Sequence, residues 1–365
     1  MSARPVLLVT NLVPQDRVAS LRALHEREGL EVAIYDGRLH HATGGVEDPG
    51  VPHRRVSQRG VYAVAASGRY RAVIATSAGR IALPGAFYGA RRARVPFLYW
   101  TGIWAQVATP AHLAAIPLVR HIERSADATI AYGEHVAAYA RSHGARNVHV
   151  APHAVDGTFW GAAVDPAAVA AVRAGAGDPA FLAAYAGRVA PGKGVEQLLE
   201  AWALTRLSPP SGALVLAGPS TGDLPPRDRG RPGILALGQV DPGQLRNIYA
   251  AADVLVVPSV PTRAFREPWA LVVNEAMSQG TAVIATDAVG AAAGGLVRDQ
   301  DTGLVVQAGD ARALAAAIER LRGDCALRAR LAAGGAAEVA RYTPEAWAGA
   351  VCAALASAAS GRTGR

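Results

Sequence analysis

Lysine is almost missing from this 365-residue chain: of its 37 basic residues a single one, Lys193, is not arginine. Cysteine is nearly as scarce. Cys325 and Cys352, separated by a stretch of helical pattern, provide neither a disulfide framework nor the paired spacing of a metal site, and they read as ordinary helix residues. No segment offers the roughly twenty consecutive apolar residues of a membrane-spanning helix. Met1 to Arg4 run directly into a short apolar segment ending at Thr10 and Asn11, without the layout of a signal peptide. A soluble, cytoplasmic protein is therefore expected. Heptads, short repeats and low-complexity tracts are absent too, which excludes coiled-coil and solenoid architectures. Finally, the segment after the first apolar run, Thr10-Asn11-Leu12-Val13-Pro14-Gln15-Asp16, has no glycine. A nicotinamide-type domain needs a tight glycine turn there so that backbone can approach a pyrophosphate, so a dinucleotide oxidoreductase is disfavoured.

What is present is apolar and periodic. Half the residues are hydrophobic, enough for two separate cores in a chain of this length. Short β-branched runs alternate with Ala/Leu/Arg stretches of helical period, the pattern of parallel sheets with crossover helices. Strands are predicted at Val6–Thr10, Glu31–Tyr35, Ala72–Thr76, Val95–Tyr99, Ala128–Ala131 and Val148–Ala151 in the first half. The second half repeats the style at Phe181–Ala186, Ala213–Ala217, Ile234–Leu237, Val254–Val257, Ala282–Ala285 and Gly303–Val306. Glycines and prolines between Asp156 and Asp178 mark a linker around a short helix. The reading is two doubly wound domains, residues 1–165 and 166–343, with a helix from Pro344 to Ala359 and a short polar tail over residues 357–365. Residues 1–165 hold 18 arginines against 12 acidic residues, so +6 of the formal charge of +8 lies in the first domain. Such a surface attracts phosphates, nucleic acid or anionic lipid.

Two segments carry chemistry. After the strand ending at Ala186 comes Gly187-Arg188-Val189-Ala190-Pro191-Gly192-Lys193-Gly194, followed by a helical run from Val195. Loop amides, the positive end of the helix, Arg188 and Lys193 can converge on one dianionic group. The spacing from Gly187 to Lys193 matches a Walker A loop, but Gly194 stands where Ser or Thr should ligate magnesium. The second segment, Glu267-Pro268-Trp269-Ala270-Leu271-Val272-Val273-Asn274-Glu275, reaches a stop at Gly280. Pro268 at a first helical position predicts a helix of about three turns with Glu267 at its mouth. On such a helix Glu275 lies about 12 Å farther along and rotated by roughly 80°, so both carboxylates can line one site. The amides of Trp269, Ala270 and Leu271 would face phosphates between them. The plain alternatives are an ordinary strand-to-helix loop, a capping Glu267 and a solvated Glu275.

In order and spacing these segments resemble glycosyltransferase family 4, retaining enzymes of the GT-B fold. The resemblance includes Ala151-Pro152-His153-Ala154-Val155-Asp156, similar to the family's Pro-Asn-Ala-Val-Asp junction. The Gly187–Gly194 loop, Tyr249-Ala250-Ala251-Ala252-Asp253 and the Glu-x7-Glu element of Glu267 and Glu275 complete it. It implies two Rossmann-like domains facing a central cleft, and transfer of a sugar from a nucleotide-diphosphate sugar to an acceptor. By this resemblance Arg188 and Lys193 neutralise the leaving diphosphate, Glu267 holds donor-sugar hydroxyls and Glu275 the ribose; Trp269, Ala270 and Leu271 complete the donor site. No metal and no cofactor beyond the nucleotide sugar is implied, and the last helix crosses back to the first domain. Asn11, Asp16, Thr101 and Trp104 are the acceptor candidates. Here the chain departs from the family: Trp100-Thr101-Gly102-Ile103-Trp104 stands where many relatives place a histidine, and Thr101 cannot act as a base at neutral pH. Tyr99, Trp100 and Trp104 can stack on a sugar or pack in the core. Partners are expected to be the nucleotide sugar and the acceptor, not nucleic acid, with peripheral contact to the inner face of an anionic membrane through the basic first domain. Two alternatives stay open: a P-loop nucleotide hydrolase, and a catalytically silent carbohydrate-binding protein of the same fold.

Overall fold

A computed structural model describes residues 4–35, 48–106, 109–225, 228 and 230–363. It contains two wholly parallel sheets. The first is built from β1 (Val6–Thr10), β2 (Leu30–Tyr35), β3 (His53–Val56), β4 (Ala72–Thr76), β5 (Phe97–Thr101), β6 (Ala128–Ala131) and β7 (Val148–Val150), in the order β3-β2-β1-β4-β5-β6-β7. The second comprises β8 (Leu182–Ala186), β9 (Ala213–Ala217), β10 (Ile234–Gly238), β11 (Val254–Val257), β12 (Ala282–Thr286) and β13 (Leu304–Val306), in the order β10-β9-β8-β11-β12-β13. Both are Rossmann-like doubly wound sheets, as the alternating pattern predicts.

Central strands such as β1, β8 and β11 are buried at every position, because helices cover both faces of a parallel sheet. In the first sheet Val6 and Leu8 pack against the helices Val18–Glu28 and Pro344–Thr363, while Leu7 and Val9 pack against Gly60–Ala65, Ala82–Ala93 and Pro110–Ser125. The strand period of two thus separates two helical layers. β3 escaped the sequence reading because it is an edge strand, His-Arg-Arg-Val, without a fully buried residue. Phe97–Thr101 replaces the predicted Val95–Tyr99. Arg94 closes the preceding helix in a left-handed conformation, and Val95 still donates to the Ala90 carbonyl, so the strand starts later. Trp100 and Thr101 therefore belong to the strand, not to the loop beyond it.

The chain divides into two compact units, Met1–Asp156 with Tyr342–Arg365, and Gly157–Arg341. The division falls at Asp156, short of the junction placed near Asp165; Asp165 instead caps the helix Pro166–Gly175 within the second unit. The C-terminal helix runs to Thr363, beyond the predicted Ala359 and into the segment read as a polar tail. Its apolar face explains the extension. Trp347, Val351, Leu355 and Ala358 are buried in the first unit's core, and Ser357 donates to Asn147. Among the described residues no helix is long and apolar enough to cross a membrane.

Candidate active site

In the second sheet the strand order reverses between β8 and β11, the kind of switch point at whose carboxyl edge ligands bind in doubly wound sheets. The Gly187–Gly194 loop leaves β8 there, and Pro258-Ser259 leave β11. Across this edge the Lys193 ammonium donates to Glu267 Oε2 at 2.5 Å, and Ser259 Oγ donates to the same oxygen at 3.2 Å. Glu267 is buried, its side chain 7% exposed, whereas Lys193 keeps 22%. The ammonium also lies 5.5 Å from the centre of the Phe265 ring, and the Val260 amide donates to the Gly192 carbonyl, tying the two loops together. Behind the pair Tyr185 donates to the Arg188 carbonyl. Burial, and next the charge of Glu267, push the Tyr185 phenol up, so it stays a neutral donor. Arg188 itself is half-buried at the mouth of the loop.

Gly194 has a conformational reason to be glycine. Its φ is +70°, and a Cβ there would lie 1.9 Å from the Pro258 carbonyl oxygen. A serine or threonine hydroxyl for magnesium has no room at this position, which removes the structural basis of the Walker A alternative. Gly194→Ser is expected to destabilise the protein by about 2–4 kcal/mol through left-handed strain and overpacking, read as a lowered urea midpoint. An unchanged midpoint would contradict the tight loop. The helix that follows, Val195–Thr205, has no side chain capping its first turn.

The Glu-x7-Glu segment corrects the predicted helix. It is helical only over Val272–Ser278; Glu267 instead forms a β-bridge with Val289. The Gly290 amide donates to the Glu267 carbonyl, and the Ala291 amide to that of Trp269. A Cβ on Gly290 would sit 1.9 Å from the Pro268 carbonyl oxygen, so this segment is held flat against the chain leaving β12 and cannot coil from Pro268 onward. Trp269 is buried as an anchor, its indole N–H donating to Asn274 Oδ1 at 2.8 Å. Ala270 takes a left-handed φ of +75° and, with Leu271, leads into the helix half-buried. Glu275 lies in the first turn and accepts a 2.8 Å hydrogen bond from the hydroxyl of buried Tyr249. Burial, and then Glu275, raise that phenol well above its ordinary range. Ser259, Tyr185, Tyr249 and Asn274 are thus supporting residues to which the sequence reading gave no role. Among the described residues no cluster of three or more His, Cys, Asp and Glu could hold a metal ion.

In the first sheet the switch point lies between β1 and β4. Asn11 and Asp16 follow β1 and are half-buried. Burial raises the Asp16 carboxyl, opposed by Arg17. Thr101 ends β5 and Trp104 follows it in the segment beyond the strand, on the far side of β4 from β1. Thr101 is buried and its hydroxyl accepts from the Ile103 amide; Trp104 packs edge-on against His135 at 4.8 Å. Tyr99 and Trp100 are core residues.

Close by is an arrangement that sequence alone did not disclose. Arg17, 5% exposed, has its guanidinium carbon 4.9 Å from the Trp100 ring centre, 5.4 Å from Tyr132 and 6.0 Å from Trp347, and donates to the ring of buried His153. Burial, then the arginine charge, hold the His153 pKa well below its ordinary 6.5. Folded protein therefore keeps His153 neutral while the unfolded chain takes up a proton as pH falls through 6.5. Stability contributed by the neutral form is complete above that pH and declines below it, by at most about 1.4 kcal/mol per pH unit. In urea titrations at pH 7.5 and 5.5, His153→Asn is expected to show a smaller acid loss than the parent; equal losses would refute the assignment.

Residues 180–324 match the family described as Glycosyl transferases group 1. Among curated proteins the chain is 34% identical over 189 residues to the D-inositol 3-phosphate glycosyltransferase of Stackebrandtia nassauensis, covering 47% of this chain and 40% of that protein. It is 39% identical over 106 residues to the phosphatidyl-myo-inositol mannosyltransferase of Mycobacterium leprae, covering 29% and 27%. The chain thus matches 40% or less of the length of these two relatives. Among solved structures, HepE of Anabaena in complex with UDP aligns with a TM-score of 0.78 at 19% identity, over 97% of this chain and 100% of that one. Sucrose-phosphate synthase of Thermosynechococcus elongatus aligns with 0.73 at 22%, over 96% and 98%. Two Rossmann-like parallel-sheet domains with these likenesses define the GT-B fold. More particularly, the unit carrying Lys193, Glu267 and Glu275 is the one that matches the group 1 glycosyltransferases, and the match lies wholly within it.

Proposed function

We propose that this chain is a retaining glycosyltransferase of family 4 that transfers a sugar from a nucleoside diphosphate sugar to an acceptor hydroxyl without a metal ion. The observation that carries the reading is the convergence of Lys193 and Glu267 at the switch point of the second sheet, from segments 74 residues apart. A cation beside an uncapped helix start suits a diphosphate, and a buried carboxylate next to it suits the hydroxyls of the attached sugar. Glu275, which accepts from Tyr249, is assigned to the ribose. Supporting this reading, HepE has been solved with UDP and with UDP-glucose.

In this mechanism the bond between the anomeric carbon and the phosphate oxygen breaks, and Lys193 and Arg188 meet the charge that develops on the leaving diphosphate. The acceptor hydroxyl attacks from the same face, and its proton passes to the departing phosphate oxygen. Asn11 and Asp16, at the switch point of the first sheet, are assigned to the acceptor. The test is calorimetric titration with UDP-, GDP-, TDP- and ADP-sugars in chelator and then in magnesium, followed by a transfer assay. Metal-independent binding of one sugar nucleotide that Lys193→Ala removes supports the site and names the donor. Binding of ATP or GTP alone, and only with magnesium, overturns it; donor binding without hydrolysis or transfer would indicate a silent carbohydrate-binding protein.

A further inference from the structure

Residues 49–122 contain ten arginines and not one aspartate or glutamate. The fold gathers much of this acid-free stretch into one layer. The helices Gly60–Ala65, Ala82–Ala93 and Pro110–Ser125 all pack their inner faces on the same side of the first sheet. The first two meet where Gly89 faces Ala65, and the second and third where Phe87 and His121 pack edge to face at 5.8 Å.

The outer surface of this layer is unusual for its apolarity. Six of the eight exposed large hydrophobic side chains among the described residues fall between Tyr62 and Leu118. Tyr62, Ile81, Tyr88 and Leu113 are each 45–49% exposed, and Leu118 is 39% exposed. On the helix Pro110–Ser125 the exposed arc of Leu113, Ala114, Pro117, Leu118, His121 and Arg124 contains no carboxylate, and its one charged residue is Arg124 in the last turn. Beside these groups stand Arg59, Arg80 and Arg92, all exposed. A hydrogen bond from the Ile81 amide to Gln58 brings the starts of the first two helices together, and with them Arg59 and Arg80. The helix Val18–Glu28, on the opposite side of the sheet, instead exposes charges of both signs, Arg22, Glu26 and Arg27. One-sided apolar side chains beside arginines that have no carboxylate partner among the described residues fit neither plain solvent nor a soluble polyanion, which would use the arginines and leave the leucines in water.

We infer that this helical layer is a docking surface for an anionic lipid bilayer, with Leu113, Leu118 and Tyr88 entering the interfacial region and Arg59, Arg80 and Arg92 contacting headgroup phosphates. The inference is independent of the donor site, whose residues all lie in the other unit.

The full chain would be sedimented with vesicles of phosphatidylglycerol and phosphatidylcholine, and with phosphatidylcholine alone, at low and at physiological salt. Binding to the anionic vesicles only, weakened by salt, is expected. The charge-neutral double variant Leu113→Ser with Leu118→Ser should lower partitioning by about tenfold, and Arg59→Glu with Arg80→Glu and Arg92→Glu by about a hundredfold. Unchanged thermal unfolding and nucleotide binding would establish that both variants fold. Absence of binding by the parent chain would overturn the inference, as would binding that neither variant weakens. Sensitivity to the arginine changes but not to the leucine changes would indicate attraction without bilayer entry and also overturn it. So would sedimentation velocity showing a dimer that the leucine variant dissociates, which would make a second copy the occupant of this surface.

Discussion

Lys193→Ala is expected to leave the fold intact and reduce transfer turnover by about a hundredfold to a thousandfold, the usual cost of removing one preorganised group from developing transition-state charge. Lys193 is the chain's single lysine, and the structure sets its ammonium against Glu267 at 2.5 Å. The substitution removes the one mobile point charge at the β8 edge while Ser259 continues to donate to Glu267. Donor binding should weaken along with turnover, because a diphosphate carries its charge in the ground state as well. Lys193→Arg is the informative control. A guanidinium preserves charge but is planar and bulkier in a loop whose Gly192 already abuts Phe265, so it should recover part of the binding and less of the turnover. Near-normal transfer by a folded Lys193→Ala variant would sink the assignment of the site.

Glu267→Gln is expected to separate binding from chemistry. Glutamine keeps the size and one acceptor oxygen, but it releases Lys193 from an ion pair that any incoming diphosphate must compete with. Affinity for the nucleoside diphosphate should therefore hold or rise, whereas turnover falls by about a hundredfold or more as the carboxylate beside the reacting sugar loses its charge. Calorimetry with the nucleoside diphosphate and a steady-state transfer assay read the two effects separately. If both fell together, Glu267 would be holding the loop in shape; if neither changed, the sugar would bind elsewhere. The structural precaution is thermal unfolding, because Glu267 also shares backbone hydrogen bonding and a β-bridge with the segment around Val289.

Much of the fold was legible because burial on both faces writes itself locally. Strands such as Val6–Thr10, Ala213–Ala217 and Val254–Val257 are continuous apolar runs bounded by loops, and their predicted limits match the observed ones. The edge strand His53–Val56 was not legible, since a strand with solvent on one side and no buried residue leaves no such run. The same reasoning separates the two halves of the candidate site. Gly187–Gly194 could be read as a phosphate loop because its glycines and its cation lie in one short segment. The segment from Pro268 to Leu271 reads as helical in the sequence, because Pro268 and Gly280 have the right local chemistry and nothing nearby shows that Gly290 presses against the Pro268 carbonyl.

The sequence by itself determined the two parallel sheets, the loop that carries Arg188 and Lys193, and the candidate status of both glutamates, all of which depend on neighbours within a few residues. Only the tertiary structure decided that Glu267 sits in a flat, bridged strand-like segment, that Glu275 takes its orientation from Tyr249, and that Arg17 is boxed by Trp100, Tyr132 and Trp347 beside a neutral His153. Each of those outcomes depends on a contact between residues brought together from separate elements. The free energy that selects among local conformations of similar stability resides in such contacts, and they have no counterpart in the order of the letters.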